Sequence, residues 1–235
     1  MNTVKTPDDK AVSRVHYELI QSLIDFGACP TRSELAERLK MPVVRIEQLL
    51  SELSEVHGVV LHPHLCEPWL VHPFSTTPTA HWVEAENGDW WAPCIWCAFG
   101  IATLVGGDTR VHTRFGGESE PLIIRTIKGE PIGLEEVWVH FAIPPNRAWQ
   151  NVHQHCSMVL AFRSREDILE WCDRHRLPHG EDVPLHRVAQ FARAWYGTHA
   201  NKNWHKWTIA EAQAIFEQSG LVSPFWDLGQ QEGRY

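Results

Sequence analysis

Residues 94–105 form a twelve-residue block that is apolar almost throughout, and Gly106-Gly107 closes it. A helix that is apolar all round is a buried helix. Twelve residues are also too few to cross a bilayer, which takes about 20. The flanks read differently. Residues 65–84 are β-rich, with Trp69, Val71, Trp82 and Val83 around a loop at 76–79, and Asn87-Gly88-Asp89 marks a turn. Three strand candidates follow the block, at residues 110–115, 122–127 and 136–143, and a fourth lies at 158–162. Ser164, with Asp167 three residues on, starts a further helix; helices are also expected over 183–196 and 209–217.

The first sixty residues have another pattern. Val12, Val15, Leu19, Ile20, Leu23 and Ile24 follow helical spacing up to Gly27 and Pro30. Thr31 and Glu34 make a capping box for a second helix, and Val44, Ile46, Leu49 and Leu50 give a third. Three short helices followed by a strand at 59–61 outline a winged helix. The fold class expected is therefore α+β: a small three-helix, winged-helix-like N-terminal domain over residues 1–75, then a mixed core with an antiparallel sheet and flanking helices over 76–235.

A winged helix suggests DNA binding, but the charges oppose it. Residues 31–57 carry Arg32, Arg38, Lys40 and Arg45 against Glu34, Glu37, Glu47, Glu52 and Glu55. The chain as a whole has a net charge of -8. Phosphate would be repelled, so nucleic acid is not an expected partner. An apolar share of 43% with 21% charged residues excludes a disordered chain. Residues 1–10 hold no apolar leader. A cytoplasmic protein with no membrane partner is expected, and in a reducing compartment its six cysteines are thiols rather than disulfides.

Cysteine placement is the most informative feature. Cys94 and Cys97 stand at i and i+3, on one helical face. A helix starting near Pro93 puts both in its first turn, where the positive end of the helix favours thiolate. Cys156 follows His153 and His155 and precedes the apolar strand. Three readings fit these residues. Cys94, Cys97 and Cys156 with one histidine supply four zinc ligands, although a zinc ribbon would pair two such hooks. A redox pair wants a βαβ setting that is missing. Burial as small apolar residues is the plain alternative, and it is the one preferred for Cys29, Cys66 and Cys172.

The run Trp96-Cys97-Ala98-Phe99-Gly100-Ile101-Ala102-Thr103-Leu104 resembles the first active-site helix of the organomercurial (alkylmercury) lyases, where a Trp-Cys-Ala-Leu-Asp stretch carries one of two essential cysteines. Cys156-Ser-Met-Val-Leu-Ala-Phe-Arg-Ser164 resembles the second element, in which the other cysteine opens an apolar strand. The similarity extends over roughly residues 19–175. It implies an enzyme that breaks a carbon–mercury bond by protonolysis with Cys97 and Cys156 as mercury ligands. No cofactor is then required. Mercuric ion is the bound product, an organometallic compound the substrate, and small thiols carry the metal away. Soft thiolates suit a soft metal.

One position departs from the family pattern. Where those lyases have an Asp three residues after the first cysteine, this chain has Gly100, which neither donates a proton nor binds metal. Cys94 is extra, and with Cys97 and Cys156 it would complete a three-thiol metal site. His155, or His153, would then be the acid. Trp91 and Trp96 are expected beside the thiols, together with His153 and Gly100, as walls of the pocket. The alternatives are a non-catalytic binder of mercury, zinc, copper or another soft metal, and a metal-responsive regulator, built on the same thiols. No GxSxG, HExxH, P-loop or dinucleotide motif is present.

Overall fold

The computed structural model describes residues 9–229 and 234–235; most of the polar stretch at residues 1–10 lies outside them. Helices α1 (Asp9–Phe26), α2 (Arg32–Leu39) and α3 (Val43–Glu55) open the chain. Strands β1 (Val60–Leu61), β2 (Pro68–Val71), β3 (Phe74–Ser75), β4 (His81–Ala85) and β5 (Gly88–Ala92) lead into α4 (Ile95–Val105). Then come β6 (Asp108–Arg114), β7 (Pro121–Ile127), β8 (Glu130–Pro131) and β9 (Trp138–Phe141), followed by the short helices α5 (Pro145–Ala148) and α6 (Val152–Ser157). The chain finishes with β10 (Val159–Phe162), α7 (Arg165–His175), β11 (Glu181–Pro184), α8 (Leu185–Tyr196) and α9 (Ile209–Gln218). Among the described residues no helix is long and apolar enough to cross a membrane.

The architecture is α+β. An eight-stranded antiparallel sheet runs β1-β2-β3-β5-β4-β6-β7-β8, and a three-stranded sheet runs β10-β9-β11. The expected division at residue 75 falls inside the larger sheet, between β3 and β4. In β6 and β7 alternate residues are buried, so Thr109, Val111 and Thr113 face inward beside Leu122, Ile124 and Thr126. Register follows from that burial, because a one-residue slip would turn the apolar set to solvent.

The N-terminal helices share one core with the rest. Val15, Leu19 and Leu49 belong to the same buried cluster as Cys97, Phe99 and Phe191. Trp90 Nε1 donates to the Leu23 carbonyl at 2.6 Å. Two basic residues of this unit pair locally, Arg32 with Glu47 and Arg45 with Glu52.

Helix α4 is the axis of the molecule, as its composition requires. Residues Ile95 and Cys97 to Ala102 are all buried, and the helix lies between the sheet and α8. Gly106 and Gly107 follow it at φ 68° and 67°, in the left-handed region that favours glycine.

Some elements depart from the sequence expectation. Residues Glu181–Pro184 form a strand on β9, and α8 starts only at Leu185. Nothing local in Glu-Asp-Val-Pro marks a strand; pairing with β9 imposes it. Cys156 lies in the last turn of α6 instead of opening the strand, because Asn151 caps that short helix by accepting from the Gln154 N–H at 3.1 Å.

A capping box starts α9. Thr208 accepts from the Glu211 N–H at 3.2 Å, and Glu211 accepts from the Thr208 N–H at 2.8 Å. Thr208→Ala removes half of that box and is expected to cost about 1 kcal/mol. Urea unfolding measures it; an unchanged midpoint would show that the cap is not contributing.

Candidate active site: a buried thiol cluster

Three thiols meet at the N-terminus of α4. Cys94 is the N-cap residue, and its Sγ accepts from the Cys97 N–H at 3.3 Å. Cys97 lies at the third helical position, and Cys156 is brought in from α6. All three are buried. Burial opposes charge on Cys94, yet hydrogen bonds from the Cys156 and Cys97 thiols and from the Cys97 N–H bring its pKa well below the usual thiol value. Burial, with hydrogen bonding to its two neighbours, pushes Cys97 up. The hydrogen bond to Cys94 is the main reason that Cys156 rises as well. Of the three thiols, Cys94, at the positive end of a helix, is therefore the one that most favours thiolate.

Two residues join the thiols that motif reasoning did not find. His72, between β2 and β3, places Nε2 4.0 Å from Cys156 Sγ. The ligand atoms of His72, Cys97 and Cys156 all lie within 4.8 Å of one another. Burial and, behind it, Lys206 hold the His72 pKa down at about 3, so its imidazole is neutral and free to act as a ligand. The second residue is Tyr196, at the end of α8, whose hydroxyl is 3.4 Å from Cys97 Sγ. A Cβ on Gly100 would lie 2.4 Å from Tyr196 Cδ2 and 2.9 Å from Pro73 Cβ. The tyrosine ring fills the space into which a side chain at position 100 would project.

Cys156 borders two openings. On one side is a surface groove of about 760 Å³, bordered by Trp69, His81, Pro93, His153 and Cys156. On the other is a cavity of about 30 Å³, walled by Trp96, Trp149, Trp195 and Tyr196 and reached by His155, Cys156 and Lys206. Its volume is that of about one water molecule or one methyl group. Trp96 stacks on Phe191 at 4.6 Å, which fixes that wall.

The expected site residues divide as follows. Cys94, Cys97 and Cys156 come together. Trp96 and His155 reach the cavity, and His153 lies on the groove with its ring 4.5 Å from Trp69. Gly100 packs beneath Tyr196 and lines neither opening. Trp91 is placed elsewhere, beside Trp82 at 5.1 Å over a depression near Cys29. In β5 the side chains alternate, and Trp90 takes the inward position. Burial lowers the His155 pKa, which leaves a neutral ring near pH 7. Of the other cysteines, Cys66 donates to the Glu47 carbonyl at 3.6 Å, and Cys172 packs 3.7 Å from His140 Nε2.

A family model described as alkylmercury lyase matches residues 74–197. Among solved structures, the fold is similar to that of the mercury-bound form of MerB2, with a TM-score of 0.63. That alignment covers 85% of this chain and 93% of the other at 16% identity, so the likeness is one of fold. No curated protein matches by sequence.

Proposed function

Because the chain belongs to the alkylmercury lyase family, we propose that it cleaves carbon–mercury bonds by protonolysis, with Cys97 and Cys156 as the mercury ligands. The observation that carries this reading is the meeting of two buried thiols and a neutral imidazole, all within 4.8 Å, from three separate parts of the chain. A thiol binds the organomercury cation and loses its proton, and the second thiol adds to the metal. Electron density donated by sulfur then weakens the bond to carbon. The carbon leaves with the bonding pair and takes a proton. The thiols keep the mercuric ion until small thiols remove it.

Cys94 and His72 supply what a two-thiol site lacks. Cys94, the thiol that most favours thiolate, can become a third sulfur ligand, and His72 offers nitrogen. A site with more soft ligands holds mercury more tightly and releases it more slowly. The groove beside Cys156 gives small thiols a path to the product.

The test is turnover of phenylmercury and methylmercury with excess small thiol, following benzene or methane by gas chromatography. Wild-type protein is expected to release hydrocarbon over many turnovers, and Cys97→Ser and Cys156→Ser to fall to background. Cys94→Ser is expected to keep cleavage and bind mercuric ion more weakly; a Cys94 variant unchanged in both removes that residue from the site. Tight mercury binding without hydrocarbon would replace the lyase reading with that of a soft-metal binder, and a salt-dependent DNA complex would point to a regulator.

A further inference from the structure

Gly100 leaves the reaction without the acid that an Asp would bring, and His155, the donor expected from the sequence, is neutral. Lys206 is placed to fill the gap. It is only 5% exposed, on the segment between α8 and α9, and it lines the cavity that Cys156 and His155 reach. Its Nζ lies 4.7 Å from the centre of the Trp149 ring and 5.8 Å from that of Trp195, both of them cavity walls. Among the described residues no carboxylate and no hydrogen-bond acceptor meets this amine. A buried lysine with a structural role has a partner or carries its head out to water. Lys206 has no such partner, and its head lies on the cavity. Tryptophan faces attract a cation but have no lone pair to hold its protons, so the protons stay available.

We propose, resting on the lyase reading above, that Lys206 is the general acid that protonates the carbon as the carbon–mercury bond breaks. The bonding pair stays with carbon, and the carbon takes a proton from the lysine ammonium. Hydrocarbon leaves, neutral amine remains, and mercury keeps its charge between two thiolates, with no oxidation or reduction. Binding of the organomercury cation displaces thiol protons, one of which recharges the amine. In sum, one organomercury cation and two thiols give one hydrocarbon, one dithiolate-bound mercuric ion and one proton. A general acid has to reach the atom it protonates directly or through one water, and a cavity of about 30 Å³ has room for either arrangement.

The neighbours support the assignment. Burial lowers the pKa of His57, His72, His155 and His199 and raises that of Tyr196 and Tyr235, so all six are neutral near pH 7. Burial also lowers Lys206, against an opposing pull from Cys97, to about 7. An acid with a pKa near the working pH can both take and give its proton in each cycle.

The experiment is single-turnover release of methane and benzene from methylmercury and phenylmercury bound one to one on wild type, Lys206→Met, Lys206→Gln and His155→Asn. Both Lys206 variants are expected to lose about 10²-fold or more in release while binding the organomercurial within about threefold of wild type. A merely structural lysine would move binding and release together. Release by Lys206→Met within about threefold of wild type overturns the assignment, as does a loss found in His155→Asn alone. Melting curves check each fold, and Lys206→Gln is read if Lys206→Met does not fold; failure of both to fold makes the lysine structural and also overturns it. No hydrocarbon from wild type overturns the lyase reading, and this assignment with it.

Discussion

Gly100→Asp, which supplies the residue that the family resemblance implies at this position, is expected to damage this protein and to add no activity. The new Cβ would stand 2.4 Å from Tyr196 Cδ2, and the Tyr196 ring has no room to retreat, since it is 1% exposed and packed against Trp96 and His199. Overpacking of this kind costs about 1–3 kcal/mol, and an added carboxylate in an apolar site costs more, for a total of about 4 kcal/mol or above. Gly100→Ala separates the two contributions. Alanine is better in a helix by about 1 kcal/mol, so a net loss in that variant reports the collision alone. Denaturant unfolding and hydrocarbon release measure both effects. An Asp variant as stable as wild type, or one with higher turnover, would mean that Tyr196 does not occupy that space. Pairing Gly100→Asp with Tyr196→Ala opens the space and is expected to recover part of the lost stability.

Lys206→Met is expected to melt higher than wild type, with a difference that depends on pH. The lysine goes from an ordinary value of 10.5 to about 7 on folding. At about 1.4 kcal/mol per unit, that depression is worth roughly 5 kcal/mol against the charged folded state. The contact with Trp149 offsets about 1–2 kcal/mol, leaving a cost on the order of 3 kcal/mol. Below the folded pKa the lysine is charged in both states, so the cost is complete near pH 6. It fades as pH rises from about 7 and is gone above 10.5, where both states are neutral. The variant should therefore exceed wild type by roughly 10 °C near pH 6 and converge on it toward pH 10. The cavity's four histidines, its tyrosines and Cys156 are common to both proteins and largely cancel from the difference. Equal melting temperatures at pH 6 would show that the amine is better solvated than its burial implies. A residue that costs stability and makes no structural bond belongs with sites where function sets the residue.

Much of the fold can be read locally. The capping boxes at Thr31 and Thr208, the strand alternation in β6 and β7 and the burial of α4 each follow from residues within a few positions of one another. Strand β11 and the helical setting of Cys156 are less legible, because pairing with β9 and a one-turn helix depend on distant packing. The same divide runs through the site. Cys94 and Cys97 form one unit by helix geometry, whereas Cys156 is legible only through its resemblance to a known motif. In the sequence Gly100 is only a missing side chain; in the fold it makes room for Tyr196. A glycine where relatives carry a side chain leaves a space, and that is the one signal that pointed to a bulky partner.

The pairing of Cys94 with Cys97, and a helix that turns its positive end toward them, were written in the chain itself, because capping and i,i+3 spacing act over one helical turn. The surroundings of those thiols were decided by folding. Tyr196 meets Cys97 across 99 residues of sequence and His72 meets Cys156 across 84, while Lys206 becomes a proton donor only once tryptophans enclose it. Contact at that range and the pKa of a buried group depend on the assembled interior, where van der Waals fit and exclusion of water are properties of neighbours rather than of residues.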